Sequence, residues 1–133
     1  MSGSYYSFQL DTGSSVIWVG SPDCTGCTDQ AISFSCAAPN DCTVIGINMQ
    51  ESYGSGDVYG QTINTVLNID PGNVTDATII SVNQATGDFS QYPFNGIIGL
   101  GPNSQFIELL MNQDFISERS LGFALYPAVE ANY

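Results

Sequence analysis

The side chains of this chain that can carry out acid–base chemistry are carboxylates, tyrosines and thiols. The 133 residues include 13 acidic side chains, a single arginine (Arg119), and neither lysine nor histidine. Without histidine there is no Ser-His or Cys-His nucleophile pair and no imidazole general base. Among the carboxylates, Asp11 follows a short alternating apolar run and precedes a Gly-Ser-Ser turn. This pattern predicts an aspartate at the end of a β-strand, where a carboxylate can act as a general acid or base.

The net charge of −12 at pH 7 limits the function classes open to the chain. Binding of nucleic acid by counterion release needs clusters of Lys and Arg, so we expect no nucleic-acid partner. We also expect no membrane partner, because no apolar run approaches the ~18 residues that a spanning helix requires. Repulsion among the carboxylates would fade as they protonate near about pH 4. The charge alone suits equally a protein that works in acid and an ordinary acidic secreted protein.

Four cysteines lie close together in the sequence and admit two interpretations. They can form one or two disulfides that pin a surface loop, or a four-thiolate zinc site. The second pair lacks the C-x₂-C spacing of zinc knuckles, which favours disulfides over a metal site. Disulfides imply an oxidising compartment. We expect no metal and no other cofactor. The Asn-Val-Thr triplet at Asn73 is a candidate glycosylation site and agrees with secretion. The disulfide candidates are Cys24, Cys27, Cys36 and Cys42.

The elements that must position Asp11 are mainly strands. Paired glycines within residues 53–57 predict a β-hairpin with a mobile tip, and residues 70–73 predict a second turn. The only helical pattern lies in residues 104–116, with Asn103 or Ser104 as N-cap. The chain is long enough for a real core. We therefore expect one mainly β domain over residues 1–133, with about seven or more short strands and one helix. Strands are predicted in or around residues 8–10, 16–19, 43–53, 57–69, 77–82, 97–100 and 120–127.

Four sequence blocks resemble the pepsin-like aspartic proteases, in that family's order and spacing. Residues 11–15, Asp-Thr-Gly-Ser-Ser, followed by Trp18-Val19, resemble the first catalytic motif. Residues 53–56, Tyr-Gly-Ser-Gly, resemble the flap that folds over the substrate, and residues 95–101 resemble the Asp-Gly-Ile-hydrophobic-Gly-Leu segment. The cysteine loop is similar to one found after the Trp-Val segment in many members. The resemblance implies the fold of an N-terminal catalytic lobe, an acidic extracellular, vacuolar or lysosomal-type compartment, and a polypeptide substrate.

The resemblance also implies roles for individual residues. Asp11 would share a proton with a second aspartate, one carboxyl acting as base on a bound water while the other donates toward the scissile carbonyl. Tyr53 would hydrogen-bond Trp18 and pack over the site. The residues expected to support the Asp11 loop are Thr12, Gly13 and Ser14. The flap residues expected to hydrogen-bond the substrate are Gly54 and Ser55. The residues that would line substrate pockets or simply pack in the core are Phe89, Phe94 and Ile97.

The chain departs from the family in carrying one Asp-Thr-Gly motif where the family has two. The later Asp114 lies in the predicted helix, and Asn95 replaces a usual aspartate that does not transfer protons. Three hypotheses follow. The chain is the N-terminal lobe of a two-lobed endopeptidase, which needs a C-terminal lobe; or it is a single-lobe protease that pairs with a second copy of itself; or it is a peptide-binding or interaction module without catalysis.

Overall fold

The structure, a computed structural model, describes residues 4–38, 40–70 and 72–125 and is mainly β, as the sequence predicts. The elements are β1 (Gln9–Asp11), β2 (Ile17–Thr25), β3 (Cys42–Tyr53), β4 (Gly56–Ile69), β5 (Gly72–Ala85), the 3₁₀ helix Phe89–Gln91, β6 (Gly96–Gly99) and α1 (Gln105–Asn112). The six strands form one mixed sheet in the order β1-β6-β2-β5-β4-β3. β3 and β4 match their predicted ranges to within a residue, whereas β5, with 14 residues, is much longer than the predicted 77–82.

The order of the strands brings the beginning of the sequence against residues near 100. β3 pairs antiparallel with β4, and β4 with β5. The β3–β4 turn falls where the sequence predicts it, and the turn predicted at 70–73 includes residue 71, which lies outside the described residues. β6 then enters between β1 and β2, parallel to β1 and antiparallel to β2. In this register Asp11 lies directly beside Gly99. The end of β1 is therefore held by a strand that follows it by almost ninety residues.

Both faces of the central sheet are apolar, which explains the uninterrupted apolar run in β2. Successive side chains of a strand point to opposite faces. Trp18 packs with Ile80, Ile97 and Phe89 in one buried cluster. Ile17 packs in a second cluster on the other face. A strand covered on both sides reads as continuous hydrophobic sequence, and this is why a charge such as Asp11 is tolerated only at a strand end.

The helix α1 covers the second face and begins where the sequence predicts. Ser104 is the N-cap, and its hydroxyl accepts a hydrogen bond from the Ile107 amide at 3.2 Å. Phe106 packs against the Ile17 cluster. The helix ends at Asn112, earlier than the predicted 116, because Asp114 adopts a left-handed backbone with φ of 60°. None of the helices in the described residues is long and apolar enough to cross a membrane.

The prediction of a strand at residues 120–127 is wrong for the part that the structure describes. Residues 120–125 form no strand, and residues 126 and 127 lie outside the described part of the chain. Leu121, Phe123 and Leu125 alternate as strand residues do, yet they are exposed by 45%, 49% and 90%. A strand needs a neighbouring backbone to pair with, and no described strand pairs with this segment. Alternation alone was therefore an insufficient signal here.

The cysteines form two disulfides, so the zinc interpretation is wrong. Cys24 bonds to Cys27 and Cys36 to Cys42, and the described residues contain no free cysteine. Cys36 and Cys42 both pack against the Ile17 cluster, so this bond ties the loop to the sheet. Disulfides of this kind are typical of an oxidising compartment.

Candidate active site

The loop that carries Asp11 is held by the backbone of residues 99–101. The Leu100 amide donates to the Asp11 carbonyl at 2.7 Å, and the Gly101 amide donates to the Ser14 carbonyl at 2.8 Å. A third bond runs from the Gly99 amide to the Val16 carbonyl at 2.8 Å. These three bonds fix the loop from Asp11 to Val16.

Two glycines make this approach sterically feasible. A Cβ atom on Gly99 would lie 2.7 Å from the Ser14 backbone, and one on Gly101 would lie 2.8 Å from the Thr12 carbonyl oxygen. Contacts this short do not occur for a real Cβ, so residues 11–15 and 95–101 form one structural unit that depends on glycine. The sequence identifies residues 11–15 and 95–101 as two motifs of the family but does not indicate that they are in contact.

The Asp11 carboxylate is half-buried and is oriented by its own loop. Its Oδ1 accepts a hydrogen bond from the Gly13 amide at 3.0 Å. Thr12 and Gly13 are exposed, so the tip of the loop faces away from this lobe. Ser14 Oγ is buried near the Tyr53 hydroxyl and makes no hydrogen bond to Asp11. Gly13, through its amide, is the residue that holds the carboxylate.

Tyr53 stands over this loop from the end of the β3–β4 hairpin. Its hydroxyl accepts a hydrogen bond from the Trp18 Nε1 at 3.1 Å, as expected from the sequence. Burial raises the pKa of the Tyr53 phenol above its ordinary value of 10.0, and the carboxylates of Glu51 and Asp11 raise it further. The Trp18 bond and the nearby Ser14 hydroxyl lower that pKa by less than burial raises it. Tyr53 is therefore a neutral phenol in the electrostatic field of Asp11.

The three pocket candidates have different surroundings. Phe89 is 2% exposed, and its ring makes edge-to-face contacts with Trp18 at 5.6 Å and Tyr53 at 5.8 Å. Ile97 is buried in the same cluster, whereas Phe94 lies at its margin and is half-buried. Phe94 stacks on Tyr92 with ring centroids 5.0 Å apart. Tyr92 also contacts Phe89 and was not singled out in the sequence; its place in a Phe-x-x-Tyr-x-Phe pattern was the available signal.

The end of the hairpin is fixed by a neighbouring segment that sequence reasoning missed. Gly54 has open space around it, with nothing within 4 Å of a built Cβ. Ser55 and Gly56, in contrast, contact residues 86–88, which follow β5. The tip that the sequence predicts to be mobile is therefore in contact with a neighbouring segment at Ser55 and Gly56. The Thr-Gly-Asp composition of residues 86–88 had indicated only a loop.

Two other candidates lie away from Asp11. Asn95 is 2% exposed, and its Nδ2 donates to Ser33 Oγ at 3.1 Å, so it joins β6 to the cysteine loop. Asn73 is exposed near the start of β5 and lines a largely apolar groove of about 730 Å³. That groove lies on the α1 side of the sheet and includes neither Asp11 nor Tyr53. No group of His, Cys, Asp and Glu among the described residues is arranged to hold a metal ion.

Comparison with known proteins places the described geometry in context. The sequence profile of a family described as "Eukaryotic aspartyl protease" matches residues 2–126. The probable aspartic-type endopeptidase CTSD of Arthroderma otae is 32% identical over 130 residues, which is 87% of this chain and 32% of that protein. The aspartic-type endopeptidase ctsD of Aspergillus fumigatus is 30% identical over 86% of this chain and 26% of its own length. Syncephapepsin of Syncephalastrum racemosum is 33% identical over 69% of this chain. The chain spans about a third or less of the length of these curated relatives.

Proposed function

Since this chain belongs to the eukaryotic aspartyl protease family, we propose that it is the part of an aspartic endopeptidase that supplies one catalytic carboxylate, Asp11, and the flap, residues 53–56. The observation that carries this proposal is the Asp11 loop itself. It is bonded to residues 99–101 on one side, with Asp11 Oδ1 oriented by the Gly13 amide at 3.0 Å. A carboxylate fixed by backbone, half-open to solvent and beside an aromatic hairpin is suited to proton transfer rather than to packing.

The proposed reaction is hydrolysis of a peptide bond by water, with two carboxyl groups that share one proton. The ionised carboxyl removes a proton from the water as its oxygen bonds to the carbonyl carbon. The protonated carboxyl donates to the carbonyl oxygen, and the C–N bond then breaks as the leaving nitrogen takes up a proton. Asp11 is one of these two groups. Thr12 and Gly13, exposed at the tip of the loop, would face the loop that carries the other.

Binding of the polypeptide substrate is assigned to the hairpin end and its aromatic surroundings. Gly54 and Ser55 would bond the substrate backbone, while Tyr53, held by Trp18, would exclude water from above. Phe94 is the pocket candidate best placed for contact, because it is half-buried whereas Phe89 and Ile97 are 2% and 4% exposed. Shared protonation of two carboxyls requires acid, so we propose a secreted or otherwise oxidising acidic compartment, which agrees with the two disulfides.

The second carboxylate must come from elsewhere, and we propose a C-terminal lobe as its source. The relatives extend far beyond the segment that matches this chain, which supports a lobe rather than a second copy. A peptide-binding module without catalysis is less well supported, because the Asp11 loop and the Trp18–Tyr53 bond are both intact.

The experiment that tests this proposal compares the isolated chain with a chimera. In the chimera this chain replaces the matched segment of the Arthroderma otae endopeptidase. Cleavage of an unfolded protein at about pH 3 to 5, inhibited by pepstatin, is expected for the chimera and not for the isolated chain. Activity of the isolated chain that rises as the square of its concentration would instead favour a homodimer. A folded but inactive chimera, measured beside an active parent enzyme, would contradict the proposed function.

A further inference from the structure

We infer that residues 86–88 form a clamp that positions the flap, with Thr86 as its principal side chain. The effect of the clamp on substrate binding rests on the proposed function. The clamp itself can be tested in the isolated chain. Thr86 is a positioning residue in this assignment: it acts through the hairpin and makes no contact with the reacting atoms.

The first part of the clamp is a pair of bonds between Thr86 and Asp57. The Asp57 amide donates to Thr86 Oγ1 at 3.0 Å, and the Thr86 amide donates to the Asp57 carbonyl at 2.9 Å. Asp57 is the second residue of β4, and it pairs with Ser52 on the other arm of the hairpin. The two bonds therefore continue the β4–β5 pairing beyond the last residue of β5, with a side chain in place of one backbone group.

The second part of the clamp reaches the tip of the hairpin. The Asp88 amide donates to the Ser55 carbonyl at 3.0 Å. This bond ties the Ser55 carbonyl to residues 86–88, whereas a Cβ built on Gly54 would have nothing within 4 Å. In this assignment the adjustable part of the flap is Gly54, which lies between Tyr53 and the tethered Ser55.

Glycines on both sides make the clamp close. Gly87 has φ of 74°, and a Cβ there would lie 2.1 Å from the Ser55 carbonyl oxygen. Gly56 has φ of 146°, and a Cβ there would lie 2.1 Å from the Thr86 carbonyl oxygen. Any side chain at either position would push the two segments apart. Two reciprocal glycine contacts indicate a close approach specified from both segments.

The clamp also connects the flap to the buried aromatic cluster. Phe89 directly follows Asp88, and its ring contacts both Tyr53 and Trp18. Residues 86–89 thus hold the end of the hairpin in two ways, by backbone contacts at Ser55 and Gly56 and by the Phe89 ring against Tyr53. Because Tyr53 is held from the Phe89 side as well as by the Trp18 bond, a loosened clamp should free the tip without displacing Tyr53.

Amide hydrogen exchange by NMR tests the clamp in the isolated chain. In Thr86→Val, which keeps the branched shape and loses the acceptor, the amides of Asp57 and Asp88 should exchange roughly threefold to tenfold faster. Ile80 in the core should be unaffected. Thr86→Ser restores the hydroxyl and should restore protection. Thr78→Val, at an exposed position within β5, is the matched control and should change neither amide.

A second variant addresses the tip. Gly87→Ala should accelerate exchange at Asp88 more than Thr86→Val does, since the added Cβ collides with the Ser55 carbonyl. Unchanged exchange at Asp57 and Asp88 in both variants would overturn the inference. So would an equal acceleration at Ile80, because that would mean a general loss of stability.

The consequence for substrate is measured in the chimera. Thr86→Val should raise KM for a peptide severalfold while kcat changes less, because a looser flap weakens binding and leaves Asp11 in place. Thr86→Ser should restore KM. An inactive chimera with the expected exchange pattern would count against the proposed function and leave the clamp supported. Normal exchange with normal KM would count against the clamp alone.

Discussion

Replacement of Tyr53 by phenylalanine should destabilise the fold measurably, because the change removes the partner of a buried donor. Trp18 is 1% exposed, and its Nε1 has the Tyr53 hydroxyl as acceptor at 3.1 Å. A buried donor left without a partner costs about 1–3 kcal/mol. The aromatic contact with Phe89 is kept in Tyr53→Phe, so the loss of unfolding free energy reports the hydroxyl.

Equilibrium denaturation with intact disulfides measures this loss. Trp18 is the sole tryptophan, so its fluorescence follows unfolding at the site itself. Tyr59→Phe is the matched control: its hydroxyl lies at 3.4 Å from Gln50 Nε2 and 3.5 Å from Asp57 Oδ2, and the residue is half-buried. This control should cost less than about 0.5 kcal/mol. Equal losses of unfolding free energy in the two variants would refute the argument that the Trp18–Tyr53 hydrogen bond stabilises the fold more than an ordinary tyrosine hydroxyl does.

Three further outcomes are expected. Burial raises the pKa of the Tyr53 phenol, so its contribution to stability is complete below pH 10.0, the ordinary value, and is lost as the pH rises through the higher pKa of the folded state. Absorbance titration of the seven tyrosines should show one late phase that is absent in Tyr53→Phe. A late phase that persists in this variant would contradict the assignment. Gly99→Ala should lower the free energy of unfolding by about 1–3 kcal/mol, because the added Cβ collides with the Ser14 backbone. Gly122 has open space around it, so Gly122→Ala should change this free energy by no more than about 0.5 kcal/mol. Equal denaturation midpoints for the two variants would argue against the close packing of residues 99–101 on the Asp11 loop. Thiol titration of the unfolded protein should find no reactive thiol before reduction and four after it, while four thiols before reduction would exclude the disulfides.

Local signals predicted those parts of the fold that local chemistry determines. The hairpin around Gly54 follows from the paired glycines and the aspartate of residues 53–57. The N-cap at Ser104 follows from its position before an apolar helical pattern. The cysteine spacing favoured disulfides, and a bond within each close pair is what the structure contains.

Long-range contacts were beyond the reach of these signals. Gly99 and Gly101 were recognised as motif residues, but their packing on residues 11–15 joins chain segments almost ninety residues apart. The strand predicted at residues 120–127 failed for the same reason, because pairing depends on a partner that alternation does not reveal. The bond that orients the Asp11 carboxylate comes from the Gly13 amide, a backbone group that has no sequence signature of its own.

The central claim is that Asp11 is one of two carboxylates that activate water, and the most direct test is its replacement in the chimera. Asp11→Asn keeps the size of the side chain and removes the titrating group. The rate of peptide hydrolysis at acid pH should fall roughly 100-fold or more. Asp114→Asn, at an exposed position beyond α1, should leave the rate unchanged. An Asp11→Asn chimera that cleaves peptide as fast as the unsubstituted chimera would contradict the claim.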